Sequence, residues 1–165
     1  MFVLGIDPGL STTGYGLVET SRGGMRAVTV GVIRTDPADP IALRLAELET
    51  DLVGILGEYQ IDEAAIETVF VNQNRQSAMS VLRASGVVLM ALGRSRIPVT
   101  EYTPSQVKAS LSGYGGADKQ QMQRMVQSRL NLPALPRPAD AADALAIAMC
   151  HSQTLGMTRA VERAQ

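Results

Sequence analysis

The stretch that most restricts the fold is residues 2–9. Phe2-Val3-Leu4-Gly5-Ile6-Asp7 is apolar up to its last member and runs directly into Pro8-Gly9. It reads as a buried strand that stops at a turn with a carboxylate at its carboxyl end. Two further strand-like runs, Thr13–Thr20 and Ala27–Thr35, flank Ser21-Arg22-Gly23-Gly24. That tetrapeptide is a turn sequence, so the first three strands are expected as antiparallel neighbours.

Helices and strands alternate after that. Asp39-Pro40 reads as an N-cap with proline at the first helical position, and Leu43, Leu45, Ala46, Leu48, Leu52, Val53 and Leu56 supply the apolar stripe of a helix reaching about Glu58. Glu63–Glu67 reads as a short strand ending on Glu67. A helix from Arg75 to Arg94 follows, and its second half, Val87–Leu92, is apolar on every side. It is expected either in the centre of the core or shared between two subunits, with Ala84, Ser85 and Gly86 permitting close approach. Pro98–Tyr102 reads as a strand, and Thr103-Pro104-Ser105-Gln106 combines an N-cap, a first-position proline and the glutamine of a capping box. Asp118 with Gln121 opens another helix to about Leu130, Leu132–Pro138 is a stiff linker, and Ala139–Gln153 is the last helix. Residues 154–165 are expected as a flexible tail. The order βββαβαβααα describes one α/β domain over residues 1–153: a mixed sheet with an antiparallel first trio and helices on both faces.

Composition removes several alternatives. A chain of 165 residues suits one domain, and a domain of that size hides roughly 70% of its unfolded surface. With 45% hydrophobic and 19% charged residues, it is neither disordered nor fibrous. No apolar run approaches the roughly 20 residues that span a bilayer, and no signal peptide opens the chain, so a cytoplasmic location is expected. One cysteine, Cys150, and one histidine, His151, exclude a disulfide framework and a zinc ribbon. The net charge of −1 hides an uneven order: residues 75–137 hold nine of the fifteen basic side chains and two of the sixteen acids. Such a segment can form a phosphate-binding face, unless folding brings it against the acidic first half.

Four carboxylates stand out. Asp7 and Glu67 end two strands, where side chains of different strands converge in α/β architectures. Asp140 and Asp143 are neighbours on one helical face in its first turns, where backbone amides favour negative charge. Each has an ordinary explanation alone, as a turn residue, a strand-end charge or a helix-dipole partner. The two aspartates nevertheless punctuate an Ala-rich apolar helix, and a buried face rarely accepts unpaired acids. Converging carboxylates would repel, and the natural compensation is a hard divalent cation such as Mg²⁺ or Mn²⁺.

GIDPGLSTTGYGL at the N-terminus, AIETVFVNQN around Glu67, YTPSQVK, DKQQMQRMV and the terminal DAADALAIAMCH, in this order and spacing, resemble the RuvC family of Holliday-junction resolvases over residues 1–153. The resemblance implies a ribonuclease H-like fold, a homodimer, and metal-dependent cleavage of two strands of a four-way DNA junction, with the RuvA-RuvB branch-migration complex as a possible partner. Asp7, Glu67, Asp140 and Asp143 match the family's acidic catalytic set, which implies two Mg²⁺ per site with Mn²⁺ able to substitute. In-line attack of water on a phosphodiester needs an activated nucleophile and charge neutralisation at the leaving oxygen, and a pair of metals supplies both. Which acid or water takes the nucleophile's proton stays open.

Only two of the basic residues are lysines, Lys108 and Lys119, and both lie in segments that carry the resemblance. A compact ammonium can approach a scissile phosphate, and the matching family positions are functional; the alternative is solvated surface charge. Arg75, Arg83, Arg94, Arg96, Arg124, Arg129 and Arg137 are candidates for DNA backbone contacts. Aromatics are only 4%, too few for a single-strand stacking platform. Phe70 is either a core residue or, as the resemblance implies, a wedge at the opened junction. Three rivals remain: a two-lobed ATPase with a similar first hairpin, disfavoured by length; a catalytically inactive junction-binding module; and a related nuclease acting on other branched or RNA-containing substrates.

Overall fold

The computed structural model describes residues 1–68, 75–113 and 115–162, the side chains of 75–77 and 158–162 excepted. Its elements in chain order are β1 (Phe2–Asp7), β2 (Thr12–Ser21), β3 (Gly24–Arg34), α1 (Ile41–Glu58), β4 (Glu63–Glu67), α2 (Arg75–Arg94), β5 (Val99–Tyr102), α3 (Pro104–Ser112), α4 (Lys119–Arg129) and α5 (Ala139–Glu162). The sheet order is β3-β2-β1-β4-β5. β1, β2 and β3 pair antiparallel, whereas β4 and β5 run parallel to β1. The expected mixed sheet with an antiparallel first trio is what forms.

Alternation along β1 and β4 sorts the core into two layers. Leu4, Ile6, Ala64 and Ile66 point to one face, where they pack with Leu48 and Leu52 of α1 and Ala84, Val88 and Leu92 of α2. Val3 and Ala65 point to the other, where they join Leu145 and Met149 of α5 and, beyond them, Val107 and Leu111 of α3 and Met122 and Val126 of α4. Helix α5 therefore lies between the sheet and a second helical layer. From Ala141 to Ser152 every residue of it is buried except Asp143, which is half-buried.

The approach of α5 to the sheet is close enough to require glycine. Gly5 and Gly16 are paired across β1 and β2, as are Asp7 and Gly14. A methyl group on Gly5 would overlap the Ala144 carbonyl oxygen, one on Gly14 would overlap the Asp140 carbonyl oxygen, and one on Gly16 would come within 2.8 Å of the Leu145 side chain. Small residues on α5 complete the fit, since Ala144 and Ala148 are the residues that meet Gly5.

Both expected capping boxes are present: Thr103 with Gln106 starts α3, and Asp118 with Gln121 starts α4. Two expectations need correction. Pro40, not Asp39, is the N-cap of α1, and no side chain caps that end; the acid before it that bonds backbone is Asp36, which accepts from the Ala38 amide in the preceding turn. The stretch expected as a loose tail from residue 154 is helical through Glu162. Its apolar periodicity fades after Gln153, but the Ser152 and Thr154 hydroxyls bond back to the carbonyls of Ala148 and Cys150 and leave the helical backbone unbroken.

Gly5→Ala should destabilise the protein by about 3 kcal/mol, the scale of overpacking against an unyielding backbone. Gly54→Ala on the exposed side of α1, where an added methyl meets nothing within 4 Å, should stabilise it by about 0.5–1 kcal/mol. Urea midpoints of the two variants read the contrast, and a harmless Gly5→Ala would contradict the packing described.

Candidate active site

β1 and β4 are parallel with Ile6 opposite Ile66, so Asp7 and Glu67 emerge side by side at the carboxyl edge of the sheet. They share the face that carries α5, because Val3, Gly5 and Asp7 alternate with the residues facing α1, as do Glu63, Ala65 and Glu67. The first turn of α5 sits directly over Gly14, the partner of Asp7. Asp140 and Asp143 are thereby delivered to the same edge, and the four acids named from the sequence converge.

Their mutual influence is visible in their protonation. Burial, reinforced by the charges of Glu67, Asp143 and Asp140, pushes the Asp7 carboxyl up to about 7, against an opposing pull from Lys119. Burial and Asp143 likewise raise Glu67 above the usual carboxylate range, while Lys108 and Lys119 pull it down. Both lysines face this cluster. The capping box that starts α4 places Lys119 at its first residue, with Nζ 3.1 Å from Asp143 Oδ2. Lys108 follows one turn after the α3 capping box and lines, with Glu67, Lys119 and Asp143, a groove of about 230 Å³ floored by Met122 and Ile147. A second cleft runs past Asp7, Pro8, Glu67 and Thr68, so Glu67 forms the ridge between the two.

Among the described residues no group of three or more His, Cys, Asp or Glu side chains stands in an arrangement that could itself hold a metal ion. The donor set nonetheless fits a hard divalent cation in its chemistry: it is all carboxylate oxygen, and Asp7 and Glu67 are pushed toward the protonated state by burial and by neighbouring acids, which a cation would reverse.

Several side chains that support the edge have no signature in periodicity. Thr13, fully buried, donates to the Gly9 carbonyl at 2.7 Å and holds the turn after Asp7. Arg44, also buried, donates to Thr35 Oγ1 at 3.0 Å and to Ser11 Oγ at 2.7 Å. Thr35 in turn donates to the Leu10 carbonyl, so a helix, a strand end and the Pro8–Ser11 loop are tied together. The Thr-Thr-Gly at 12–14 was the available sign of the first contact; nothing in the sequence marked the second.

The basic residues divide. Arg124 is exposed on α4, and Arg83, Arg96 and Arg137 are exposed as well. Arg94 is instead paired with Glu49 of α1 at 2.9 Å, and Arg129 donates to the Leu111 carbonyl at 2.7 Å near the end of α3. Both remain exposed at the surface, each with one partner within the fold. Arg75 opens α2, its side chain outside the description, and Phe70 lies outside the described residues.

The family model for crossover junction endodeoxyribonuclease RuvC matches residues 3–151. The chain belongs to the RuvC family. It is 48% identical over 153 residues to the RuvC of Desulforamulus reducens, covering 93% of this chain and 94% of that one. Its fold is similar to the Thermus thermophilus RuvC structure, with TM-score 0.89 and 34% identity over 96% of this chain and 97% of that one. A second T. thermophilus RuvC structure, in complex with Holliday junction substrate, gives TM-score 0.87 and 32% identity over 95% and 96% of the two chains. In this RuvC family member the four acids named from the sequence lie at one sheet edge, with Lys108 and Lys119 beside them.

The raised carboxyls have a measurable sign. Between the ordinary aspartate value near 3.8 and about 7, folded protein keeps the Asp7 proton that unfolded protein releases, so stability without metal should fall as pH rises through that window and level off above it. Asp7→Asn should remove this part of the slope. Its metal-free melting temperature should exceed the parent's above pH 7, with the difference closing toward pH 4. Thermal melts in chelator across that range check it, and equal slopes would contradict the buried, repelled carboxyl.

Proposed function

We propose that this protein resolves four-way DNA junctions as a homodimer, cutting two strands by metal-dependent phosphodiester hydrolysis in recombination and repair. The observation that carries this reading is the convergence of Asp7, Glu67, Asp140 and Asp143 at one edge with Lys108 and Lys119 against them, in a chain of the RuvC family. A related structure is of a RuvC in complex with Holliday junction substrate, and it covers nearly the whole of this chain.

In this reading the four acids hold Mg²⁺ or Mn²⁺, two ions per site. The bound metal supplies an activated water and neutralises charge on the leaving oxygen. The chain's own residues do the rest. Asp7 and Glu67, fixed by adjacent strands, and Asp140 and Asp143, fixed by α5, set the position of the oxygen donors before DNA arrives. Lys108 and Lys119 present ammonium groups to the groove beside Glu67, where they bring the scissile phosphate to the acids and stabilise the charge that develops on it. Lys119 is paired with Asp143, so its ammonium already lies beside the acids, where a cation held by that carboxylate would leave it available to the phosphate. Exposed Arg124 extends the positive surface along α4, while Arg75 and Phe70 are assigned to DNA on the resemblance alone.

The second copy packs on α2. Its buried side, Ala84, Val88, Ala91 and Leu92, is used against the sheet, and its outer side leaves Met79, Leu82 and Met90 about half exposed in line with Gly86. An apolar stripe with a small residue at its centre suits helix-to-helix contact, and two copies give the two active sites that paired cuts require.

Cleavage of four-way junctions, duplex DNA and RNA–DNA hybrid with Mg²⁺ tests the reading: junctions should be cut in preference to both others. Asp7→Asn should abolish cleavage and leave junction affinity largely unchanged, because binding draws on the basic groups. Lys108→Ala and Lys119→Ala should each lower the saturated single-turnover rate by about 10²-fold, about 2.7 kcal/mol, with a much smaller effect on the dissociation constant. Rates near the parent's in all three would refute the site. Leu82→Glu should convert a sedimenting dimer to a monomer and abolish paired cutting, whereas a parent already monomeric at micromolar concentration with junction bound would refute the dimer.

A further inference from the structure

The sequence holds one histidine, and the proposed reaction does not use it. His151 lies on α5, 2% exposed, between two side chains from different strands. Its Nε2 is 2.9 Å from Glu63 Oε2, at the start of β4. Its Nδ1 is 2.9 Å from the Tyr102 hydroxyl, at the end of β5, and Tyr102 is itself buried. A carboxylate only accepts, so Nε2 donates to Glu63, while Nδ1 shares a hydrogen bond with the Tyr102 hydroxyl. Three polar side chains that would each be costly alone are satisfied by one another.

The placement of this chain along α5 matters more than its existence. Glu63 and Glu67 sit on the same face of β4, four residues and about 13 Å apart at strand rise. His151 and Asp143 sit on α5 eight residues apart, about 12 Å at helical rise. The helix and the strand therefore carry two facing pairs at matched spacing. Glu63 with His151 is a direct hydrogen bond at one end, and Glu67 with Asp143 is an electrostatic pair at the other. The surface between them is Gly5 and Gly16 against Ala144, Leu145 and Ala148, a close approach made through apolar contacts that are themselves non-directional.

We infer that His151, held between Tyr102 and Glu63, is a positioning residue that sets the register of α5 on the sheet and so holds Asp143 and Asp140 opposite Glu67 and Asp7. The inference rests on the proposed metal-dependent nuclease reading of those acids. Displacement of a reacting geometry by about 1 Å from a remote change can cost 10²-fold in rate, and helix register is a displacement of that kind.

The test uses full-length protein, with Mn²⁺ as probe. Glu63→Ala should weaken Mn²⁺ binding, read by electron paramagnetic resonance of the free ion, about tenfold. It should also lower the saturated single-turnover cleavage rate by at least that factor, with junction affinity unchanged. Glu63→Gln, whose amide oxygen still accepts from Nε2, should restore both. Should Glu63→Ala not fold, Tyr102→Phe carries the test, since it deletes one hydroxyl from the same chain and is expected to act in the same direction. A purely structural role would lower the melting temperature and leave Mn²⁺ affinity and saturated rate at parental values below the melt, and that result overturns the inference. A parent that neither binds Mn²⁺ nor cuts junctions overturns the proposed function and this inference with it, whereas an active parent with equally active variants overturns this inference alone.

Discussion

Everything at the carboxyl edge of this sheet depends on how closely α5 can lie against it. Gly5, Gly14 and Gly16 leave a trough in which the helix backbone itself, at Asp140, Ala144 and Leu145, meets the strands. Glycine in a strand interior loses backbone entropy and packs no side chain. The compensation is burial of α5 on nearly every side, with Leu145, Ile147 and Met149 fully enclosed. A larger side chain at any of the three positions would lift the helix and carry its two aspartates away from Asp7 and Glu67. The trough is thus a requirement of the site as much as of the core.

Bringing four carboxylates to one half-buried edge opposes folding, and the fold shows how the opposition is limited. Asp140 lies in the first turn of α5, where unpaired backbone amides favour negative charge. Lys119 sits on Asp143, and Lys108 and Lys119 both act on Glu67. Asp7 is the least compensated: Lys119 opposes but does not cancel the burial and the three neighbouring acids, and its carboxyl sits near 7. A site whose strain is concentrated in a strand-end acid has the most to gain from a divalent cation at that acid, which ties metal affinity to the same geometry that stores the repulsion.

The elements with strong local chemistry were legible in the sequence. Glu63–Glu67, Arg75–Arg94 and the two capping boxes have the boundaries read from residue pattern, because strand alternation, proline and the Thr103/Gln106 and Asp118/Gln121 pairs act within a few residues. The sheet-edge acids were legible too, since a carboxylate closing an apolar strand has few other places to go. What was not legible depends on contacts distant in sequence. Arg44 reaching Ser11 and Thr35, and His151 bridging Glu63 and Tyr102, leave no period or turn signal behind them. The end of α5 was misread for the converse reason: its final turns are helical without the apolar stripe by which a helix is recognised.

The uneven charge order of the chain is resolved by topology in two different ways. Where the basic segment enters α2 it returns to the acidic α1, and Arg94 is neutralised by Glu49; there the asymmetry in sequence is cancelled in space. Past β5 the chain crosses to the opposite face of the sheet, into α3 and α4, while Glu47, Asp51 and Glu58 stay exposed on α1. Lys108, Lys119 and Arg124 consequently share a layer with few acids of its own; Asp118 is taken up as a helix cap. Among the described residues, the concentration of negative charge that this layer meets is the cluster at the sheet edge, to which both lysines turn. Arg124 and Lys119 are exposed on this side, and Lys108 and Lys119 line the groove that also holds Glu67 and Asp143. The same crossover that builds the second helical layer therefore sets cations directly beside the acids.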